Sequence, residues 1–197
     1  MARGPSTGWD VLDTALTALA AVVNGITMRD LGLPTPCEQW NVTQVLQHAA
    51  GDQLAWASVI TGRPGPDENP FTPSGHLDEA PPATVDRAWQ AAVQAWVTVD
   101  PDDAAVPTPL PQGPMPASLA AGACALDAAV HAWDLAVATG QPSPLTAALA
   151  EPLRAAATQI VEPLRGFAYA PALSPEPGDD PAAALLRYLG RTPGWPR

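Results

Sequence analysis

The chain has 197 residues, 47% hydrophobic and 15% charged, which is ordinary for a globular protein and enough for one domain with a sizeable core. Twenty acidic side chains stand against nine basic ones, all arginine, for a formal charge of −11. A surface of that sign repels phosphate backbones and anionic lipid, which argues against nucleic acid or a membrane as partner.

Two cysteines, Cys37 and Cys124, are too few for a disulfide framework in a chain this long, so reduced thiols in a cytoplasm are expected. The first residues do not read as a secretory signal. No stretch approaches the roughly 20 uninterrupted apolar residues of a spanning helix.

In chain order, Val11, Leu12, Ala15, Leu19, Val22 and Val23 recur at helical spacing and predict a first helix from about Trp9 to Met28. Pro34 and Pro36 then forbid helix around Cys37. Asn41 and Gln44 have capping-box spacing, so a second helix is expected to start there and run to Thr61, ending at Gly62. Its core face carries Val45, Ala49, Asp52, Trp56 and Val59, with His48 at the margin.

The stretch from Arg63 to Pro82 reads as a long loop carrying His76, of the length usual for lids or mobile segments. A third helix is predicted from about Thr84 to Val99, with Trp89, Val93 and Trp96 on one face. The fourth and longest follows Pro116, with Ser118 as its expected N-cap and Gly140 as its stop. Ser143-Pro144 signals another start, Pro152 and Pro163 are expected to kink or divide the segment after it, and Asp180-Pro181 caps a last short helix ending at Gly190. No segment alternates with period two. The expected fold is all-α, one domain over 1–197: four long helices forming a bundle, with small extra C-terminal helices.

On the fourth helix Cys124, Asp127, His131 and Asp134 fall within about 80° of arc, among alanines, leucines and valines. A polar stripe in such company reads as a buried site. Asp127 and His131 lie one turn apart and can share a metal ion, although the same spacing suits a simple ion pair. His48 from the second helix completes a two-histidine, one-carboxylate set with an open position, which suits zinc or ferrous iron. The competing reading makes both histidines core imidazoles, hydrogen-bonded to Asp52 and Asp134. Asp134 is expected to orient a ligand, with Asp134 or Asp52 as the substitute carboxylate. Cys124 is read as packing and Cys37 as part of the turn. His76 is read as solvated, and the tryptophans as core or pocket wall.

The runs Thr35-Pro36-Cys37-x-x-Trp40-x-Val42-x-x-Val45-Leu46-x-His48 and Asp127-x-x-x-His131-Ala132-Trp133-Asp134-Leu135-Ala136-x-Ala138-Thr139-Gly140 resemble the DinB-like superfamily. Within it they are most similar to the metal-binding N-terminal domain of mycothiol-dependent maleylpyruvate isomerase. The ending Leu185-Leu186-Arg187-Tyr188-Leu189-Gly190-Arg191-Thr192-Pro193-Gly194-Trp195 is similar to an actinobacterial subgroup of it. The resemblance implies an up-down-down-up four-helix bundle with a divalent metal held by His48, Asp127 and His131. Asp127 stands where the isomerase has the longer Glu. Zinc is the implied metal, with iron or nickel as alternatives, and mycothiol the implied thiol cosubstrate.

The expected partners are therefore a small electrophilic substrate and a low-molecular-weight thiol, and a homodimer is compatible with the fold. The isomerase's further C-terminal domain is not expected in this chain, so maleylpyruvate isomerisation itself is not the expectation. The expectation is a metal- and thiol-dependent transferase or isomerase; the alternative is a bundle that binds metal or ligand without catalysis.

Overall fold

In this computed structural model, which describes residues 6–195, the chain forms six α-helices and one 3-10 turn, with no strand among the described residues. The helices are α1 Asp10–Asn24, α2 Val42–Thr61, α3 Pro81–Trp96, α4 Ala117–Ala138, α5 Ala147–Ile160 and α6 Pro181–Tyr188. The four long N-terminal helices close a ring in which α1 packs on α4, α4 on α2, α2 on α3, and α3 back on α1. This is the all-helical bundle expected from the periodicity, with α5 laid on α4 and α6 on α5. No helix among the described residues is long and apolar enough to cross a membrane.

α4 is the central element. Seventeen of its 22 residues are buried, so it has no solvated face of any width. Alanine makes that feasible, because small side chains let α1, α2 and α5 approach it from three sides at little cost in side-chain entropy. Gly122 is the extreme case: a Cβ there would sit 2.9 Å from the Cβ of Ala156 on α5.

Helix ends follow local chemistry more closely than periodicity. At the start of α2 both halves of the capping box form, with Asn41 Oδ1 accepting from the Gln44 N–H at 3.0 Å and Gln44 Oε1 accepting from the Asn41 N–H at 3.1 Å. α2 stops at Gly62, whose N–H donates to the Ser58 carbonyl. α3 begins at Pro81, three residues before the expected start, because prolines in a first turn forfeit only N–H groups that have no helical partner.

Four expectations are corrected. Ser118 does not cap α4: Pro116 holds that position, and the Ala117 N–H donates to the Asp103 carbonyl at 2.9 Å instead. The fifth helix starts from Thr146, whose hydroxyl accepts from the Leu149 N–H, and not from Ser143-Pro144. Pro152 does not divide it, since Pro152 and Ala148 both face solvent and water can serve the carbonyl left without a donor. The break comes at Pro163, within the 3-10 turn Glu162–Leu164. α1 likewise ends at Asn24, one turn before the expected limit.

Candidate functional site

α2 and α4 lie side by side, and their facing surfaces bring the three sequence-predicted residues together. His48 comes from α2, Asp127 and His131 from α4. Both histidine Nε2 atoms point at the same carboxylate oxygen, His48 at 3.4 Å and His131 at 3.3 Å from Asp127 Oδ1. The two imidazole rings are nearly perpendicular, with centroids 4.7 Å apart. Both histidines are buried, at 6% and 7% exposure.

The far side of each ring is also held. His48 Nδ1 lies 2.9 Å from the carbonyl of Pro70, and His131 Nδ1 lies 2.9 Å from Asp134 Oδ2. A carbonyl and a carboxylate have no proton to give, so each Nδ1 must donate. With both rings neutral, as a bound cation would require, each Nε2 lone pair faces the common centre. This is how metal-binding histidines are oriented in general, by an oxygen acceptor behind the ring. Asp127 Oδ2 is buried with no hydrogen-bond partner, an unsatisfied acceptor beside the two inward-facing Nε2 atoms. The donor set and the orphaned oxygen both fit a divalent cation. One ion could be shared by these three residues.

The electrostatics couple the Asp127 carboxylate to the His131 imidazole. Burial works against the charged form of Asp127, but His131 and then His48 outweigh it and hold the carboxyl well below the usual range. Burial also opposes a charged His131, and the adjoining Asp127 carboxylate overrides it, raising the imidazole well above its ordinary value. Asp52, one turn along α2 from His48, shows the reverse balance. Burial, reinforced by the Asp127 charge, pushes its carboxyl well up, and it faces the same space.

Asp134 is the hub behind the site. It is fully buried and accepts from four donors: His131 Nδ1, Cys37 Sγ at 3.2 Å, Arg191 Nε at 2.9 Å and Arg191 Nη2 at 2.8 Å. Burial would raise its pKa, but the Arg191 guanidinium and the His131 hydrogen bond drive it far down. The expectation that Asp134 orients a ligand therefore matches its geometry. Cys37, His131 and Asp134 form a second cluster with metal-ligand spacing. That side already carries the Arg191 cation, whose Nη2 also lies 3.5 Å from Cys37 Sγ.

Arg191 was not legible as a site residue. The end of α6 delivers it through a Schellman turn, in which the Gly190 N–H bonds the Arg187 carbonyl and the Arg191 N–H bonds that of Leu186. Gly190 has φ +80°, and a Cβ there would meet the Pro171 carbonyl oxygen at 2.9 Å, so only glycine fits. Cys37, read as part of a turn, does serve one, since its N–H donates to Thr35 Oγ1, but its thiol also reaches the site. Cys124 stays out, bonded to Gln53 Oε1 at 3.1 Å. His76 is exposed beside Asp78 and belongs to no part of this site.

The centre opens on a cavity of about 570 Å³. Trp40, Trp56, Phe71, Ile160, Leu164 and Phe167 wall it, so its third side comes from the segment after α5. The long loop before α3 contributes the Pro70 carbonyl and Phe71, and it is tied to α2 through Gln47, which bonds the Gly75 N–H and the His76 carbonyl at 2.8 Å each.

Residues 12–136 match the family described as the mycothiol maleylpyruvate isomerase N-terminal domain. The chain belongs to that family. The matched span contains all three of His48, Asp127 and His131, whereas Arg191 and the third cavity wall lie outside it. Among its relatives are uncharacterized proteins from two strains of Mycobacterium tuberculosis. Each is 32% identical over 184 residues, covering 90% of this chain and 94% of the relative. That coverage exceeds the family span, so the likeness extends beyond the N-terminal domain region. No solved structure matches.

Proposed function

We propose that the protein is a divalent-metal-dependent transferase or isomerase that acts on a small electrophile through a metal-activated low-molecular-weight thiol or water. The observation that carries this is the convergence of His48 Nε2, His131 Nε2 and Asp127 on one point at the cavity floor, with Asp127 Oδ2 left unsatisfied. His48, Asp127 and His131 would hold the metal, with zinc first and iron or nickel as alternatives that the same two nitrogens and one carboxylate accept. A divalent metal bound there supplies the positive charge that lowers the pKa of a thiol or water. The family's name makes mycothiol the thiol of choice.

The chain's own groups have separable tasks. The Pro70 carbonyl and Asp134 fix the two imidazoles, and Arg191 holds Asp134. The tryptophan and aliphatic walls exclude water, and Asp52, whose carboxyl burial pushes up, would be the group to hold a proton beside the reacting space. Substrate and thiol would enter from the open mouth.

Elemental mass spectrometry on untagged protein tests this. About one metal per chain is expected, lost in a His48→Ala/His131→Ala double variant, together with mycothiol binding that requires the metal. If neither protein takes up metal after zinc or ferrous iron is added, the catalytic reading fails. Thiol binding indifferent to metal would leave a binding bundle without catalysis.

A further inference from the structure

The chain has two tyrosines, and their hydroxyls are placed differently. Tyr188 spends its hydroxyl on Glu162 Oε1, 2.9 Å away, and lies outside the cavity lining. Tyr169 lines the cavity, and its hydroxyl has no hydrogen-bond partner among the described residues. A phenol taken from water into a protein ordinarily finds an acceptor. This one faces the charges of the site instead. Burial pushes it well up, the Asp127 carboxylate adds to that, and Arg191 and His131 oppose it. The phenol thus keeps its proton, and it stands close enough to those three groups to feel each of them.

Arg191 brings a second donor to the same wall. Its Nε and Nη2 are committed to Asp134, while Nη1 has no partner among the described residues. Packing makes the two residues neighbours. Ala170, next to Tyr169, lies so close to Gly190, next to Arg191, that a Cβ on Gly190 would stand 2.7 Å from the Ala170 Cβ. Arg165 ties the two segments together, donating from Nη1 to the Ala170 carbonyl at 2.8 Å and from Nη2 to the Tyr188 carbonyl at 3.0 Å. Both donors are therefore set on a fixed backbone before any ligand arrives. Both also lie beyond the family span of 12–136.

Two unspent donors on one wall match an acceptor with several lone pairs, and the guanidinium favours one that carries charge. We infer that Tyr169 Oη and Arg191 Nη1 form a two-donor subsite for a substrate carboxylate, so that the segment after α5 supplies specificity-determining residues to the cavity. The subsite deepens the proposed reaction and rests on it for the substrate's place beside the metal centre, but filling it needs neither metal nor thiol. Metal analysis therefore tests one reading, and carboxylate discrimination the other.

A matched pair of probes tests it, 2-naphthoate and 2-methylnaphthalene, which share a ring system and differ in carboxylate against methyl. The ring suits the mouth, where Phe71 and Phe167 stack with centroids 5.0 Å apart and remain exposed. Each probe is titrated into the full chain by ligand-detected NMR after chelation, so that no carboxylate can bind a metal ion. Naphthoate is expected to bind about tenfold or more tightly than methylnaphthalene. Tyr169→Phe, which removes one oxygen atom, should weaken naphthoate by about tenfold and leave methylnaphthalene unaltered. Arg191→Lys, which keeps a cation beside Asp134 but loses the Nη1 arm, should weaken naphthoate by about the same factor. Tyr188→Phe should leave both affinities unaltered, because that hydroxyl belongs to Glu162. Equal binding of the two probes overturns the inference. So does a naphthoate affinity that survives Tyr169→Phe or Arg191→Lys, or that falls equally in Tyr188→Phe.

Discussion

The α2–α4 interface buries polar groups in two places, and they behave differently. At Cys124 and Gln53 the polarity closes on itself: the thiol bonds the Gln53 amide oxygen, and the amide nitrogen reaches the Cys124 carbonyl at 3.4 Å. One turn further along α4, the Nε2 atoms of two histidines face Asp127 Oδ1, and the other carboxylate oxygen has no partner. Burial is similar in both. What separates a structural polar pair from a candidate site is unsatisfied valence facing a cavity, because evolution can seal buried polarity at little cost when no ligand has to enter.

The sharpest way to break that distinction is to unbalance the open side. Arg191→Met strips the guanidinium from the buried Asp134 charge, leaving only His131 against it, and should lower stability by about 3–5 kcal/mol in urea unfolding. Adding Asp134→Asn to that variant should restore much of the loss, since the orphaned charge goes with it. Asp134→Asn alone probes orientation, because an amide oxygen accepts more weakly from His131 Nδ1. Metal affinity measured by competition with a chelating dye should fall about 10–100-fold.

The closed side predicts the opposite pattern. Cys124→Ala leaves the Gln53 amide without its thiol donor and should cost about 1–3 kcal/mol of stability with metal content untouched. Metal loss in that variant would mean the two clusters are one site. The smallest effect is expected furthest from either cluster. Asn41→Ala removes the capping box at the start of α2 and should cost about 1 kcal/mol by thermal melting, with ligand and metal binding unchanged.

Much of the site could be read from spacing. Asp127 and His131 share a face because a helix turns every 3.6 residues, and alanine-rich surroundings marked that face as buried. His48 was legible for the same reason, since the capping box at Asn41 set the register of α2. Arg191 was not, being 57 residues beyond Asp134 in the chain and brought to it by a turn after a short helix. One signal did exist. A carboxylate on the inner face of an apolar helix needs a cation, and the chain has only nine arginines and no lysine from which to find one.

Phe71 and Phe167 carried no comparable mark, because two isolated aromatics on loops have no period to betray their meeting. Nor could spacing foresee the Pro70 carbonyl behind His48, since every residue has a carbonyl. By itself the sequence determined the helices, the register of α2 and α4, and the face on which the ligand-type residues stand, since these depend on local geometry and on contacts a few residues apart. Tertiary structure alone decided that Asp134 is held by Arg191, that Cys37 joins it, and that two distant loops close the cavity with phenylalanine. Those contacts pair residues far apart in sequence, and which pairs meet is settled only by the packing that buries the most apolar surface with the fewest unsatisfied polar groups.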